Sequence, residues 1–201
     1  MEPSFFRMSG QSLFNSDWGD YGEILQHGMS RHLPRRDGRI ALERTGPFIS
    51  PITLPFAIVV ITEARILLES SGLSGFNFLP VEKARIVELH WERWDLEAPE
   101  PAEYPESGEP EDYILSRPHS TVAATALGDL WEILVPPTVT ILRPNSIVRS
   151  YKDLRLDTNT WKGEDLIRGD GYGSVLLSQR AMEWFGGQWT KYLRFDLFPS
   201  S

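Results

Sequence analysis

The chain has 201 residues, 41% of them apolar, with seven tryptophans, no cysteine and a net charge of -8. That is enough apolar material for one domain or two small ones, and it excludes a disordered chain, disulfides, thiolate catalysis and thiolate metal sites. The acidity is local: nine acids between Glu92 and Asp112 meet the single base Arg93, and the rest of the chain balances at 19 acids against 19 bases.

In chain order, the N-terminus Met1-Glu2-Pro3-Ser4-Phe5-Phe6-Arg7 lacks the basic start and apolar run of a signal peptide. The apolar stretch Leu54 to Ile61 is broken by Pro55 and falls short of the ~20 residues that span a bilayer, so a cytoplasmic address and no membrane partner are expected. Residues 1–46 are polar, Gly-rich and weakly periodic, and little regular structure is expected there; Phe5, Phe6, Phe14, Trp18 and Tyr21 could anchor the segment to a core. The β-branched run Phe56 to Ile61 reads as a buried strand, followed by a helix from Thr62. The Thr62 hydroxyl suits an N-cap, Glu63 suits the positive end of the helix dipole, and Gly72 suits a left-handed stop. Phe76 to Leu79 and Ala84 to Trp91 read as two further strands.

Residues 97–112 form an acidic, Pro-rich segment, which proline keeps extended and charge keeps solvated, and an exposed loop within a single body spanning 1–201 is expected. Thr121 to Val135 carries a helical pattern at Val122, Ala126, Leu130 and Leu134, stopped by Pro136-Pro137. At the C-terminus, Val175 to Leu177 reads as a strand and Ser178 as an N-cap. A helix then runs from Gln179 to Phe185, Gly186-Gly187 ends it, and Tyr192 to Phe198 is the last strand. This repeats the earlier plan: Thr62-Glu63 aligns with Ser178-Gln179, and Phe76 and Phe78 align with Leu193 and Phe195 after one inserted residue. Recurrence of strand, cap, helix and glycine is also what any α/β protein shows. The fold class is α/β or α+β, with a mixed sheet, a few short helices and two similar strand-helix-strand units.

Candidate chemistry is sparse. His27, His32, His90 and His119 have no metal-ligand spacing, so no metal and no cofactor are expected. Ser174 follows the glycines of Gly169 to Gly173 but precedes a strand, whereas a nucleophile elbow or phosphate loop places its glycines before a helix. Acid pairs such as Glu109 with Glu111, or Asp165 with Asp170, are not positioned by anything in the sequence. A basic cluster at Arg31, Arg35, Arg36 and Arg39 is too short for phosphate neutralisation, so nucleic acid is not an expected partner. Trp91 and Trp94 fall where a strand meets the acidic loop; Trp91 reads as core and Trp94 as an interface residue. The expected partner-binding set is Trp94, Asp95, Glu97, Glu100 and Glu103, on a surface whose charge would speed encounter with a basic partner.

The order Trp161-x-Gly163-x-Asp165, two apolar residues, a short loop, an apolar strand and Ser178-Gln179-Arg180-Ala181 resembles bacterial immunity proteins of polymorphic or contact-dependent toxin systems. It looks most like the double-CxxCG-motif group and its DUF1629-like relatives. Ile61 to Arg65 with Gly72 to Phe76 is similar to the same family's earlier unit. With no cysteine, both CxxCG pairs are missing. The resemblance implies a protein that neutralises a cognate toxin in the cytoplasm, and a basic, nuclease-type toxin would suit the acidic surface. It also implies structural roles for Trp161, Gly163 and Asp165. A non-enzymatic protein-binding module is therefore expected, against two alternatives: a small-molecule enzyme whose acids converge only in three dimensions, and a scaffold or assembly subunit.

Overall fold

The computed structural model describes residues 3–11, 33–46, 49–54, 57–89, 95, 97–144 and 148–201. In chain order these form β1 (Phe5–Gly10), β2 (Ala41–Gly46), β3 (Ile52–Thr53), β4 (Ile58–Ile61), α1 (Thr62–Ser70), β5 (Asn77–Pro80) and β6 (Glu82–Glu88). They continue with α2 (Asp112–Leu115), α3 (Thr121–Ala126), β7 (Leu130–Leu134), β8 (Pro137–Val139), β9 (Ile141–Leu142) and β10 (Arg155–Leu156). The last are β11 (Leu166–Gly169), β12 (Val175–Ser178), α4 (Gln179–Trp189) and β13 (Leu193–Phe198). The class is α+β, with mixed sheets. No helix among the described residues is long and apolar enough to cross a membrane.

Contacts group the chain into two units. The terminal unit gathers Met1–Gln11, Leu67–Asn77 and Leu134–Ser201; the internal unit gathers Ser12–Ile66 and Phe78–Ile133.

In the terminal unit a five-stranded sheet runs β13-β1-β12-β11-β8, antiparallel except where β11 meets β8. Phe5, Leu176, Ile167, Phe198, Val139, Leu154 and Leu156 form its core, and Trp161, Tyr151 and Tyr172 pack against them. The sequence reading gave β1 no regular structure, yet it is paired on both edges, by β12 and by β13. Its signal is only six residues long, and the pairing that fixes it comes from the far end of the chain. Ser178 caps α4 as read, its hydroxyl accepting from the Ala181 amide at 3.1 Å. Gly186-Gly187 does not end the helix. Continuing through both glycines costs about 1 kcal/mol each relative to alanine. It brings the buried Trp189 edge-on to Phe185 at 5.3 Å and Trp184 at 5.2 Å, which offsets that cost.

In the internal unit a four-stranded sheet runs β3-β4-β7-β5, and β2 pairs parallel with β6. Ile40, Leu42, Val59, Ile86, Ala123, Ala124, Leu127 and Leu130 form the core. The helix expected over Thr121 to Val135 is half helix and half strand. Ser120 caps α3 by accepting from the Ala123 amide at 3.1 Å, but Gly128 turns left-handed at φ +71° and the chain re-enters as β7 beside β4. The spacing of Leu130 and Leu134 fits a helix as well as a strand, so the glycine decides. β2 was likewise missed, because Glu43, Arg44 and Thr45 disguise a strand that is buried at every position.

The two strand-helix-strand segments share one plan. In each, a strand runs directly into its helix, and a strand from elsewhere in the chain lies between it and the strand after the helix: β4-β7-β5 and β12-β1-β13. Ala64 and Leu68, the buried residues of α1, correspond to the buried Ala181 and Phe185 of α4 at a constant shift of 117 residues, with Trp189 one turn further on in the longer helix. The same shift sets Leu130, Trp131 and Glu132 opposite Ile61, Val60 and Val59 as Phe5, Phe6 and Arg7 stand opposite Ser178, Leu177 and Leu176. The equivalent of Thr62 is thus Gln179 rather than Ser178, and no inserted residue is needed. Thr62 is the first helical residue, and its hydroxyl accepts from the Trp131 indole at 3.1 Å and donates to the Asp129 carbonyl at 3.3 Å.

Candidate functional site: an acidic face and a buried carboxylate

The acidic segment is built from turns. Asp95 Oδ1 accepts from the Glu97 amide at 3.1 Å, and the Asp95 carbonyl accepts from the Ala98 amide at 3.1 Å. Tyr104 donates to Glu100 at 3.0 Å. Gly108, at φ +79°, closes a turn onto the Pro105 carbonyl at 3.0 Å. Ser107 donates to Asp112 and accepts from the Glu109 amide. The extended run expected from the prolines is therefore folded back on itself. Two prolines, Pro101 and Pro110, are buried, and Tyr113 and Ile114 of α2 are fully so, which fixes the base of the segment while its acids stay outside.

The result is a groove of about 840 Å³ lined by Glu103, Tyr104, Glu106, Asp112, Leu115 and Arg117, with Pro105 and two serines between them. Tyr104 is 47% exposed and Leu115 39%. Glu103 is ion-paired with Arg117, whose guanidinium also reaches the Glu88 carbonyl. Asp95, Glu97, Glu100, Glu106 and Glu109 are exposed and form no ion pair with any described residue. Of the partner-binding residues read from the sequence, Asp95, Glu97, Glu100 and Glu103 lie on this segment; Trp94 lies outside the described residues, as does Trp91.

The remaining candidates resolve into structural roles. The His119 ring accepts from the Ile86 amide at 3.0 Å, while His27, His32 and His90 lie outside the described residues. Of the arginine cluster, Arg35 makes a bidentate pair with the buried Glu132 at 2.6 Å on both arms, and Arg36 pairs with Glu82 at 2.7 Å; Arg31 lies outside the described residues. Gly169 to Gly173 is the turn from β11 into β12, and it borders a shallow groove of about 340 Å³ with Arg168 and Pro137. Among the described residues no group of three or more His, Asp or Glu is placed to hold a metal ion.

Asp165 is the most heavily engaged polar residue the sequence suggested. It is 3% exposed, and its two oxygens accept from the Ser74 amide at 2.9 Å, the Ser74 hydroxyl at 3.0 Å, the Ser178 hydroxyl at 2.9 Å and the Arg180 guanidinium. Burial would raise its pKa, but the bonds from Arg180, Ser178 and Ser74 outweigh that and hold the carboxyl below the usual aspartate range. Asp165 therefore accepts bonds and is not poised to move protons; Asp170, the other acid of that pair, is exposed. The neighbouring motif residues serve the same join. Gly163 turns at φ +99°, and the Trp161 indole donates to the Glu164 carbonyl at 2.8 Å while its ring meets Phe5 edge-on at 5.1 Å.

Three buried charges, Glu43, Arg44 and Glu132, had no sequence signal. Glu132 is paired as above, and Arg44 is fully buried on β2, its Nε donating to the Thr45 carbonyl at 2.7 Å. Burial pushes the Arg44 guanidinium down to about 9, so it stays charged at neutral pH. Glu43, Glu132 and Asp165, the buried carboxylates, line none of the grooves described above, nor the one between α1 and Gly128.

Compared with known proteins, the chain matches no family model, no curated protein and no solved structure.

Proposed function

We propose that this chain is a non-enzymatic inhibitor, similar to bacterial immunity proteins, that binds a basic cognate toxin through its acidic face and occludes it. One observation carries the reading: all of the net charge sits on one segment, and the fold buries Pro101, Pro110, Tyr113 and Ile114 at its base while leaving five carboxylates outside with no ion pair to any described residue. Exposed Tyr104 and Leu115 beside those acids add apolar contact, the combination that an interface core with a charged rim requires. The resemblance of the Trp161 to Ala181 segment supplies the partner class.

Co-expression with the protein encoded beside its gene tests this. The chain should protect cells from that protein and co-purify with it. The triple variant Glu97→Lys, Glu100→Lys, Glu106→Lys should weaken binding by roughly tenfold or more at low salt and much less at high salt, because exposed charges act mainly through screened attraction. A neighbour that is neither bound nor neutralised removes the reading. A small-molecule enzyme, the alternative, needs buried acids converging on a cavity, and the buried carboxylates described each face an arginine and line none of the grooves described.

A further inference from the structure

We propose that two copies of this chain join edge to edge through β13, extending the five-stranded sheet of each across a two-fold axis at Phe195. Backbone parity leaves this edge open among the described residues. The Gln11 amide donates to the Tyr192 carbonyl, in the same register that sets Phe5 opposite Phe198. Even-numbered residues of β13 therefore exchange their hydrogen bonds with β1, and the N–H and C=O groups of Leu193, Phe195 and Leu197 point the other way. Pro199 and Ser201 share that outward parity and bond Leu156, so β10 covers the edge only beyond the end of the strand. From Leu193 to Leu197 the outward groups meet no partner among the described residues, which is the arrangement that templates strand addition.

The side chains say what fits there. In an antiparallel join about a two-fold axis, residues opposite each other lie on the same face. With the axis at Phe195, Leu193 stands opposite the exposed Leu197 of the other copy, and Arg194 stands opposite its Asp196. Leu197 is 65% exposed and the Arg194 side chain 66%. Moving the axis to Arg194 or Asp196 sets like charges against each other, which is destabilising. The Leu-Arg-Phe-Asp-Leu pattern is therefore complementary to itself in one register, and the outward groups of Leu193, Phe195 and Leu197 then close six backbone bonds. This join is independent of the acidic face.

Sedimentation of the full chain over a range of concentrations tests it, with a dimer expected. Leu197→Pro removes an outward N–H and leaves the bonds to β1 intact, and should weaken association by about tenfold or more. Arg194→Asp alone and Asp196→Arg alone should each fail to self-associate. An equal mixture of the two should form a heterodimer, since both cross-strand pairs then become opposite in charge; this result does not depend on how well Leu197→Pro folds. A wild-type chain that stays monomeric, or single charge variants that dimerise as the wild type does, overturns the proposal.

Discussion

Replacing Asp165 with alanine should lower folding stability by about 3 kcal/mol, read as a fall in the urea midpoint at unchanged slope. The carboxylate is 3% exposed and accepts from one backbone amide and two hydroxyls besides Arg180. Its loss strands those donors in a site that water reaches poorly. The Arg180 side chain is 62% exposed, so water replaces its bond at little cost, and most of the effect comes from the Ser74 and Ser178 donors. The same join gives a pH signature. An aspartate in the unfolded chain titrates near about 3.9, and Asp165 in the fold titrates lower. Its contribution is fully present above the unfolded value and is lost as pH falls through the folded one. Wild-type stability should therefore drop below about pH 4, and Asp165→Asn should flatten that drop in a urea titration repeated across pH.

Gly75→Ala should be nearly as damaging, about 2–3 kcal/mol by the same urea measurement. Gly75 sits at φ +92°, and a Cβ there would lie 2.3 Å from the Leu166 carbonyl oxygen. The nearest contact is backbone, so no flexible side-chain end can move aside. The close approach exists because the Ser74 carbonyl accepts from the Asp165 and Leu166 amides, so the substitution pushes the loop after α1 off the Asp165 join. Gly72→Ala is the control: it shares the positive φ, but its Cβ would meet nothing within 4 Å, so only the conformational cost of about 1 kcal/mol should appear.

What was legible in the sequence follows from where each signal resides. Local signals read correctly: the Ser178 cap, the left-handed Gly72 and the apolar run of β12. The signals that failed were those whose resolution lies elsewhere in the chain. β1 is specified by β12 and β13, nearly the whole chain away, and β7 by β4. Gly186-Gly187 would stop an isolated helix, but Trp189 has a core to reach. Ser74, which donates twice to Asp165, carries no mark in sequence; its pairing depends on a loop closure across 91 residues. On the acidic face, charge and exposure were legible, but the back-folded turns and the Glu103–Arg117 pair were not, because proline content alone does not say where a turn closes.

Inhibition as proposed requires the acidic face to recognise a basic protein. Titration calorimetry of the chain against the purified product of the adjacent gene, in low and in high salt, tests it most directly. One-to-one binding per chain is expected, weakening as salt rises, with a loss of that salt dependence in the Glu97→Lys, Glu100→Lys, Glu106→Lys variant. Binding whose strength and salt dependence are the same in the wild type and the variant, or no binding at all, would contradict it.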